Sequence, residues 1–140
     1  MLLYHYTSET HLPMILTAGF LKTTESNVSA TKEHAGPDVV WLTTADEPSA
    51  GHGLAGSSVD KSAIRFSVEL PKLAVYDWKT WAKAQGSNPG FIQSLARSGG
   101  AGTWRITTSA IPASRWAEVR RMNPATVLLD RDALDAAATR

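Results

Sequence analysis

The chain has 140 residues, of which 43% are hydrophobic and 19% charged, and its net charge is +1. This length suits one domain with its own core, so residues 1–140 are predicted to form a single domain. The sequence contains no cysteine, which excludes disulfides, thiolate-bound metals and a cysteine nucleophile. The net charge gives no whole-molecule attraction to nucleic acid, and no apolar run reaches the about 20 residues of a membrane span. We expect a cytoplasmic protein with no membrane partner.

Hydrophobic spacing predicts the elements in chain order. Leu12, Ile15 and Leu16 form one face of a short helix, and Gly19 suits the left-handed position that ends it. The other predicted helices cover residues 77–86, 89–97 and 131–139. The predicted strands cover residues 2–6, 38–44, 63–70, 103–108, 116–122 and 126–129, with a turn at Ile111 and Pro112. In the strand 63–70 the side chains alternate, with an apolar face of Ile64, Phe66, Val68 and Leu70 and a second face of Ala63, Arg65, Ser67 and Glu69.

This order of elements lacks the regular strand–helix alternation of a doubly wound sheet. It predicts an α+β fold with a mostly antiparallel core of two sheets and short flanking helices. Two polar segments, residues 23–37 and 45–61, are predicted to be loops. Both are long for a compact domain, and such loops are usually functional or disordered.

The first strand carries the polar side chains His5, Tyr6 and Thr7 directly into the start of the helix. On a strand, His5 faces opposite to Tyr4 and Tyr6. A histidine at a strand end can bond a ribose hydroxyl or a backbone carbonyl. The residues alone leave open whether His5 contacts a ligand or is a half-buried histidine bonded to the backbone.

The segment Tyr4-His5-Tyr6-Thr7, followed by the short helix and Gly19-Phe20-Leu21, resembles the first motif of the ADP-ribosyltransferase superfamily. It is most similar to the small bacterial and phage, DarT-like branch. The resemblance covers about 20 of the 140 residues. It implies an ADP-ribosyltransferase-like fold with NAD as the substrate. By the same resemblance, His5 and Thr7 hold the NAD ribose and the nicotinamide amide, and Tyr6 belongs to the same site.

A second strand of that family places an aromatic or hydroxyl residue beside the nicotinamide. Trp41 and Thr43 occupy this place in chain order and share one face of their strand. An indole can stack on a planar nicotinamide or base. The alternative is that Trp41 is a core residue.

The family also places a catalytic glutamate near its last strands, where a carboxylate stabilises the cationic sugar formed as nicotinamide leaves. Here Thr103 and Trp104 stand at that position. Glu25 and Glu118 are therefore the predicted catalytic carboxylates, together with His5. Glu69 is a further candidate. The alternative for each glutamate is a solvated surface charge.

Arg65 is the first choice for a contact to phosphate or acceptor, and Arg105 the second; a surface arginine is the alternative for both. The four histidines lie far apart in the sequence, so no metal site is expected. Trp78 and Trp81, near basic residues, either stack on nucleic acid bases or pack a pair of helices.

The resemblance favours an enzyme that transfers ADP-ribose from NAD to a macromolecule such as DNA or RNA, in a toxin, defence or phage setting. One alternative is hydrolysis of an N-glycosidic bond, in NAD or in DNA, on the same fold. The other is a non-catalytic module that binds a nucleotide or a protein, which the missing glutamate favours. The sequence leaves the acceptor and the oligomeric state open.

Overall fold

The computed structural model describes residues 1–24, 37–47, 60–96 and 101–138, and these form an α+β fold. The helices are α1 Leu12–Ala18, α2 Trp78–Ala84, α3 Pro89–Ala96 and α4 Arg131–Ala138. The strands are β1 Leu2–Thr7, β2 Phe20–Leu21, β3 Val40–Thr43, β4 Ile64–Glu69, β5 Tyr76–Asp77, β6 Trp104–Thr107, β7 Ile111–Pro112, β8 Trp116–Met122 and β9 Ala125–Asp130.

Seven strands form one sheet in the order β5-β6-β3-β1-β4-β8-β9, and β2 pairs with β7 in a separate two-stranded ribbon. Every strand pair of the described residues is antiparallel. The predicted α+β class with a mostly antiparallel sheet is therefore confirmed. Among the described residues, the second of the two predicted sheets is no more than this short ribbon. The predicted turn at Ile111 and Pro112 is instead strand β7, which pairs with Leu21 and Phe20.

Strand β1 lies in the middle of the large sheet. It pairs with β4 over six residues, from Leu2 opposite Glu69 to Thr7 opposite Ile64. With β3, on its other side, it shares the single pair Tyr4–Thr43. The predicted first strand is thus confirmed, and it pairs with β4 over a much longer stretch than with β3.

One face of the sheet carries a continuous apolar core, here called the aliphatic face. Its fully buried side chains include Leu3, Phe66 and Val119, and helices α1 and α4 add Leu12 and Leu134 to it. Strand β4 shows the predicted alternation, because Ile64, Phe66 and Val68 are all 0% exposed.

The opposite face is divided. Over β3 and β6, helices α2 and α3 bury a group of four indoles, which we call the tryptophan cluster: Trp41, Trp78, Trp81 and Trp104. Over β1, β4 and β8 the cross-strand pairs align side chains that we call the polar row: Tyr4, Tyr6, Arg65, Ser67, Glu118 and Arg120.

Helix α1 forms where the sequence predicts it. Pro13 lies in its first turn, where a missing N–H costs least, and Gly19 ends it with a φ of 78°. Just before the helix, the Ser8 hydroxyl accepts from the His11 N–H at 3.2 Å. Within the described ranges no helix is long and apolar enough to cross a bilayer.

Candidate functional site

His5 is held in one tautomer by a backbone carbonyl. Its Nδ1 lies 2.8 Å from the carbonyl oxygen of Trp41, and its ring packs edge-on against Phe66 with centroids 6.5 Å apart. A carbonyl can only accept, so Nδ1 carries the proton and donates it. Burial lowers the pKa of His5 below its ordinary value of 6.5, against the opposing effect of this hydrogen bond. His5 is therefore neutral at pH 7.

The second ring nitrogen of His5 is then an acceptor. In a neutral imidazole whose Nδ1 is protonated, Nε2 carries a lone pair. Nε2 has no hydrogen-bond partner among the described residues, and His5 is partly exposed. Such a nitrogen can receive a hydrogen bond from a hydroxyl group, whereas it would repel a phosphate oxygen.

Three of the predicted cofactor-binding side chains converge on the turn after β3. Tyr6 Oη donates to the Ala45 carbonyl at 3.0 Å, and Arg65 Nη1 donates to the Asp46 carbonyl at 2.5 Å. Thr43 Oγ1 accepts from the Ala45 N–H at 3.0 Å. Burial raises the pKa of Tyr6 to about 12, so its hydroxyl stays a donor. These side chains hold the turn in place.

Arg65 also belongs to a charged group on the polar row. Its Nη2 lies 3.1 Å from Glu118 Oε1, and Arg120 Nε lies 2.9 Å from the same oxygen. The guanidinium of Arg65 stacks over the Tyr4 ring, 4.9 Å from its centroid. Hydrogen bonds from Arg120, more than those from Arg65, lower the pKa of Glu118. Glu118 is thus an anion that accepts hydrogen bonds from two arginines, and it is not a free general base.

Trp41 lies in the tryptophan cluster. Its ring centroid is 5.6 Å from that of Trp78 and 6.0 Å from that of Trp104. Trp78 is 0% and Trp81 9% exposed, so α2 uses its tryptophans for packing and not for stacking on bases. Within this cluster, Trp104 Nε1 is buried without a hydrogen-bond partner.

The predicted site residues are distributed over both faces of the sheet. His5 and Thr7 alternate with Tyr6 along β1, and their partners Phe66 and Ile64 belong to the aliphatic face. Tyr6 shares its face with Trp41, Thr43, Arg65 and Glu118. The structure therefore places the second group on one face, where Tyr6, Thr43 and Arg65 meet at the turn after β3. His5 lies on the other face, and its Nδ1 reaches across to the Trp41 carbonyl.

The remaining candidates have separate positions. Glu25 lies outside the described residues. Glu69 pairs with the N-terminal ammonium at 3.2 Å, and Arg105 donates to the carbonyls of Gly102 and Trp104. The described residues contain no group of three potential metal ligands.

Two open concavities lie elsewhere on the described surface. One follows the outer side of α1, along Pro13, Met14, Thr17 and Ala18. The other lies near the end of the β8–β9 hairpin; its lining residues are Glu47, Asp60, Ser62, Ala63, Met122 and Asn123. Neither of these two concavities is lined by His5 or Arg65.

Three members of the polar row were not among the predicted site residues: Tyr4, Ser67 and Arg120. The alternation along residues 116–122 predicts that Glu118 and Arg120 share a face. The sequence does not reveal that β8 pairs with β4, which is what places both beside Arg65.

The described side chains offer two kinds of binding group. On one face, the His5 imidazole can accept a hydrogen bond from a hydroxyl group; on the other, Arg65 and Arg120 present two guanidinium groups. The first suits a sugar, and the second suits an oxyanion.

Comparison of the chain with protein-family models, with curated proteins and with solved structures finds no significant match.

Proposed function

We propose that this protein binds NAD and transfers its ADP-ribose to a macromolecular acceptor such as DNA or RNA, on an ADP-ribosyltransferase-like fold. The resemblance of residues 4–21 supports this proposal. In support, those residues form β1, α1, the left-handed Gly19 and β2, in the order that the resemblance implies.

One observation carries the proposal, namely the free acceptor on His5. A ribose hydroxyl is a hydrogen-bond donor of the kind that Nε2 requires. Because Nδ1 is fixed on the Trp41 carbonyl, the ring is already oriented and loses little freedom when a ligand binds. Thr7 lies on the same face of β1, two residues along.

The reaction needs a carboxylate against the cationic sugar that forms as the bond to nicotinamide breaks. Glu118 already accepts hydrogen bonds from Arg65 and Arg120. Glu25, which lies four residues after the resembling segment in sequence, is therefore our first candidate for this role. The engagement of Glu118 also favours the second candidate function, a module that binds the nucleotide without catalysis.

Calorimetric titration with NAD tests the binding step. His5→Ala removes the acceptor, and we expect at least about a fivefold loss of affinity, since one hydrogen bond in a binding site is worth about 1 kcal/mol or more. His11→Ala is the matched control, because His11 is exposed and its Nδ1 pairs with the Ser8 hydroxyl. If His5→Ala binds NAD as tightly as His11→Ala does, the proposed role of His5 is wrong.

Incubation with NAD and single-stranded DNA or RNA tests the chemistry. Nicotinamide release with labelled nucleic acid supports the transferase, and Glu25→Gln should abolish it. Release of free ADP-ribose, or abasic sites in the DNA, would indicate the hydrolase instead. NAD binding without any nicotinamide release would identify the non-catalytic module.

A further inference from the structure

A single carboxylate neutralises two arginines on the polar row. Glu118 Oε1 accepts from Arg65 Nη2 and from Arg120 Nε, and Glu118 Oε2 lies 3.4 Å from Arg120 Nη2. The three side chains together carry one net positive charge. Arg65 and Arg120 face each other as cross-strand partners on β4 and β8, so like charges lie side by side with only Glu118 between them.

The guanidinium of Arg65 is incompletely satisfied. Its Nε is buried and has no hydrogen-bond partner. Nε and Nη2 form the edge that typically binds both oxygens of a carboxylate or phosphate. Glu118 contacts only Nη2 of that edge, since its oxygens also serve Arg120. A buried N–H without an acceptor is unfavourable, and more so on a charged group.

The charged group also opens towards solvent in one direction. The side-chain exposure is 14% for Arg65, 24% for Glu118 and 31% for Arg120. The Tyr4 ring covers Arg65 on one side. An anion would therefore approach from Arg120 and Glu118, and rotation of Glu118 would expose the edge of Arg65. Asp130, the acidic partner of Glu118 on β9, has Oδ1 bonded to the Ala133 N–H at 2.8 Å.

We propose that Arg65 and Arg120 form a binding site for a phosphate group, and that Glu118 occupies this site as an internal anion in the free protein. A phosphate group offers more acceptor oxygens than one carboxylate, and a pyrophosphate also carries more charge, so it can satisfy the Arg65 edge and Arg120 together. Binding then consists of exchanging Glu118 for phosphate. The attribution of that phosphate to NAD rests on the proposed function, whereas the site itself does not.

Titration of the full chain with inorganic pyrophosphate tests the exchange. Glu118→Gln removes the competing charge and retains an acceptor for Arg120, so we expect about fivefold tighter binding. Glu9→Gln is the matched control, because Glu9 pairs with Arg121 away from the polar row, and it should bind like the wild type. In the same assay Arg120→Gln should weaken binding about tenfold, and Arg121→Gln should not.

Equal affinities for Glu118→Gln and Glu9→Gln, or for Arg120→Gln and Arg121→Gln, would overturn the proposal and leave a purely structural ion-pair group. A second measurement uses the wild-type protein, so it does not depend on whether a variant folds. In NMR spectra of arginine side chains, pyrophosphate should shift the Nε–H signals of Arg65 and Arg120 and leave that of Arg121 in place. Unshifted Arg65 and Arg120 signals would contradict the site.

Two ligands separate the possible sources of the phosphate. If Glu118→Gln changes the affinity for ADP, the phosphate belongs to a nucleotide. If it changes the affinity for a short single-stranded DNA instead, the phosphate belongs to a nucleic acid backbone. His5→Ala should leave pyrophosphate binding unchanged. If NAD does not bind while pyrophosphate does, the proposed function fails and the phosphate site stands; the reverse result removes the phosphate site alone.

Discussion

The two faces of the large sheet are filled in different ways. The aliphatic face is a continuous core between the sheet and helices α1 and α4. The opposite face is apolar only over β3 and β6, and it carries the polar row over β1, β4 and β8. One face thus stabilises the fold by packing, whereas the other uses hydrogen bonds and charges that a ligand could exchange.

The two faces also differ in how well their buried N–H groups are hydrogen-bonded. On the aliphatic face, Trp116 Nε1 donates to the Ile111 carbonyl at 3.2 Å. On the opposite face, Trp104 Nε1 and Arg65 Nε are both buried without a partner. Buried polar atoms in native proteins nearly always have a hydrogen-bond partner, so each exception calls for an explanation.

The largest expected effect comes from breaking the aliphatic face. Phe66 is 0% exposed and packs edge-on against Trp116 with centroids 4.9 Å apart. Phe66→Ala leaves a cavity in the centre of the sheet, and we expect it to lower the free energy of unfolding by about 3–5 kcal/mol. Urea denaturation measures this loss. Val127→Ala, at a residue that is 45% exposed, is the control and should change stability little; similar losses in both variants would contradict the assignment of the core.

The two indoles allow a sharper comparison. Trp116→Phe and Trp104→Phe remove the same atoms, but only Trp116→Phe deletes a hydrogen bond. We expect Trp116→Phe to cost about 1–2 kcal/mol more of unfolding free energy than Trp104→Phe. Denaturation of the two variants under identical conditions measures the difference. Equal losses would show that the unsatisfied N–H of Trp104 finds a partner in solution.

The smallest expected effect concerns pH. The pKa of His5 in the folded protein lies below 6.5, so the unfolded chain takes up the proton more readily. Stability should therefore fall as the pH drops from 7 to 5, and His5→Gln should reduce this dependence. Glu9 and Glu118 have pKa values lowered from 4.5, and their stabilisation is lost only at more acidic pH. Parallel pH profiles of wild type and His5→Gln over this window would argue against a desolvated His5.

Local patterns were sufficient to predict most of the elements. The alternation of residues 64–70 gave both the strand and its buried face, and Gly19 gave the end of α1, because period and glycine conformation depend on nearby residues alone. The sequence also predicted an α+β fold with a mostly antiparallel core of two sheets, but in the part of the chain that the structure describes the second sheet is only the β2–β7 ribbon.

The arrangement of the candidate site was not predictable in the same way. Thr43, Tyr6 and Arg65 are far apart in sequence, and only the pairing of β1 with β3 and β4 brings them to one turn. Ser67 was expected on a polar face, yet it is 5% exposed. Strand order and register depend on contacts between distant segments, which no local pattern records.

The central position of β1 has a consequence for how the chain folds. Strand β1 is synthesised before both of its partners, so it has to wait for residues 40–43 and 64–69 before both of its edges are paired. Most of the contacts that hold it therefore close long loops, and such topologies fold slowly, in milliseconds to seconds. During synthesis, an unpaired β1 would offer both edges to other strands until β4 leaves the ribosome.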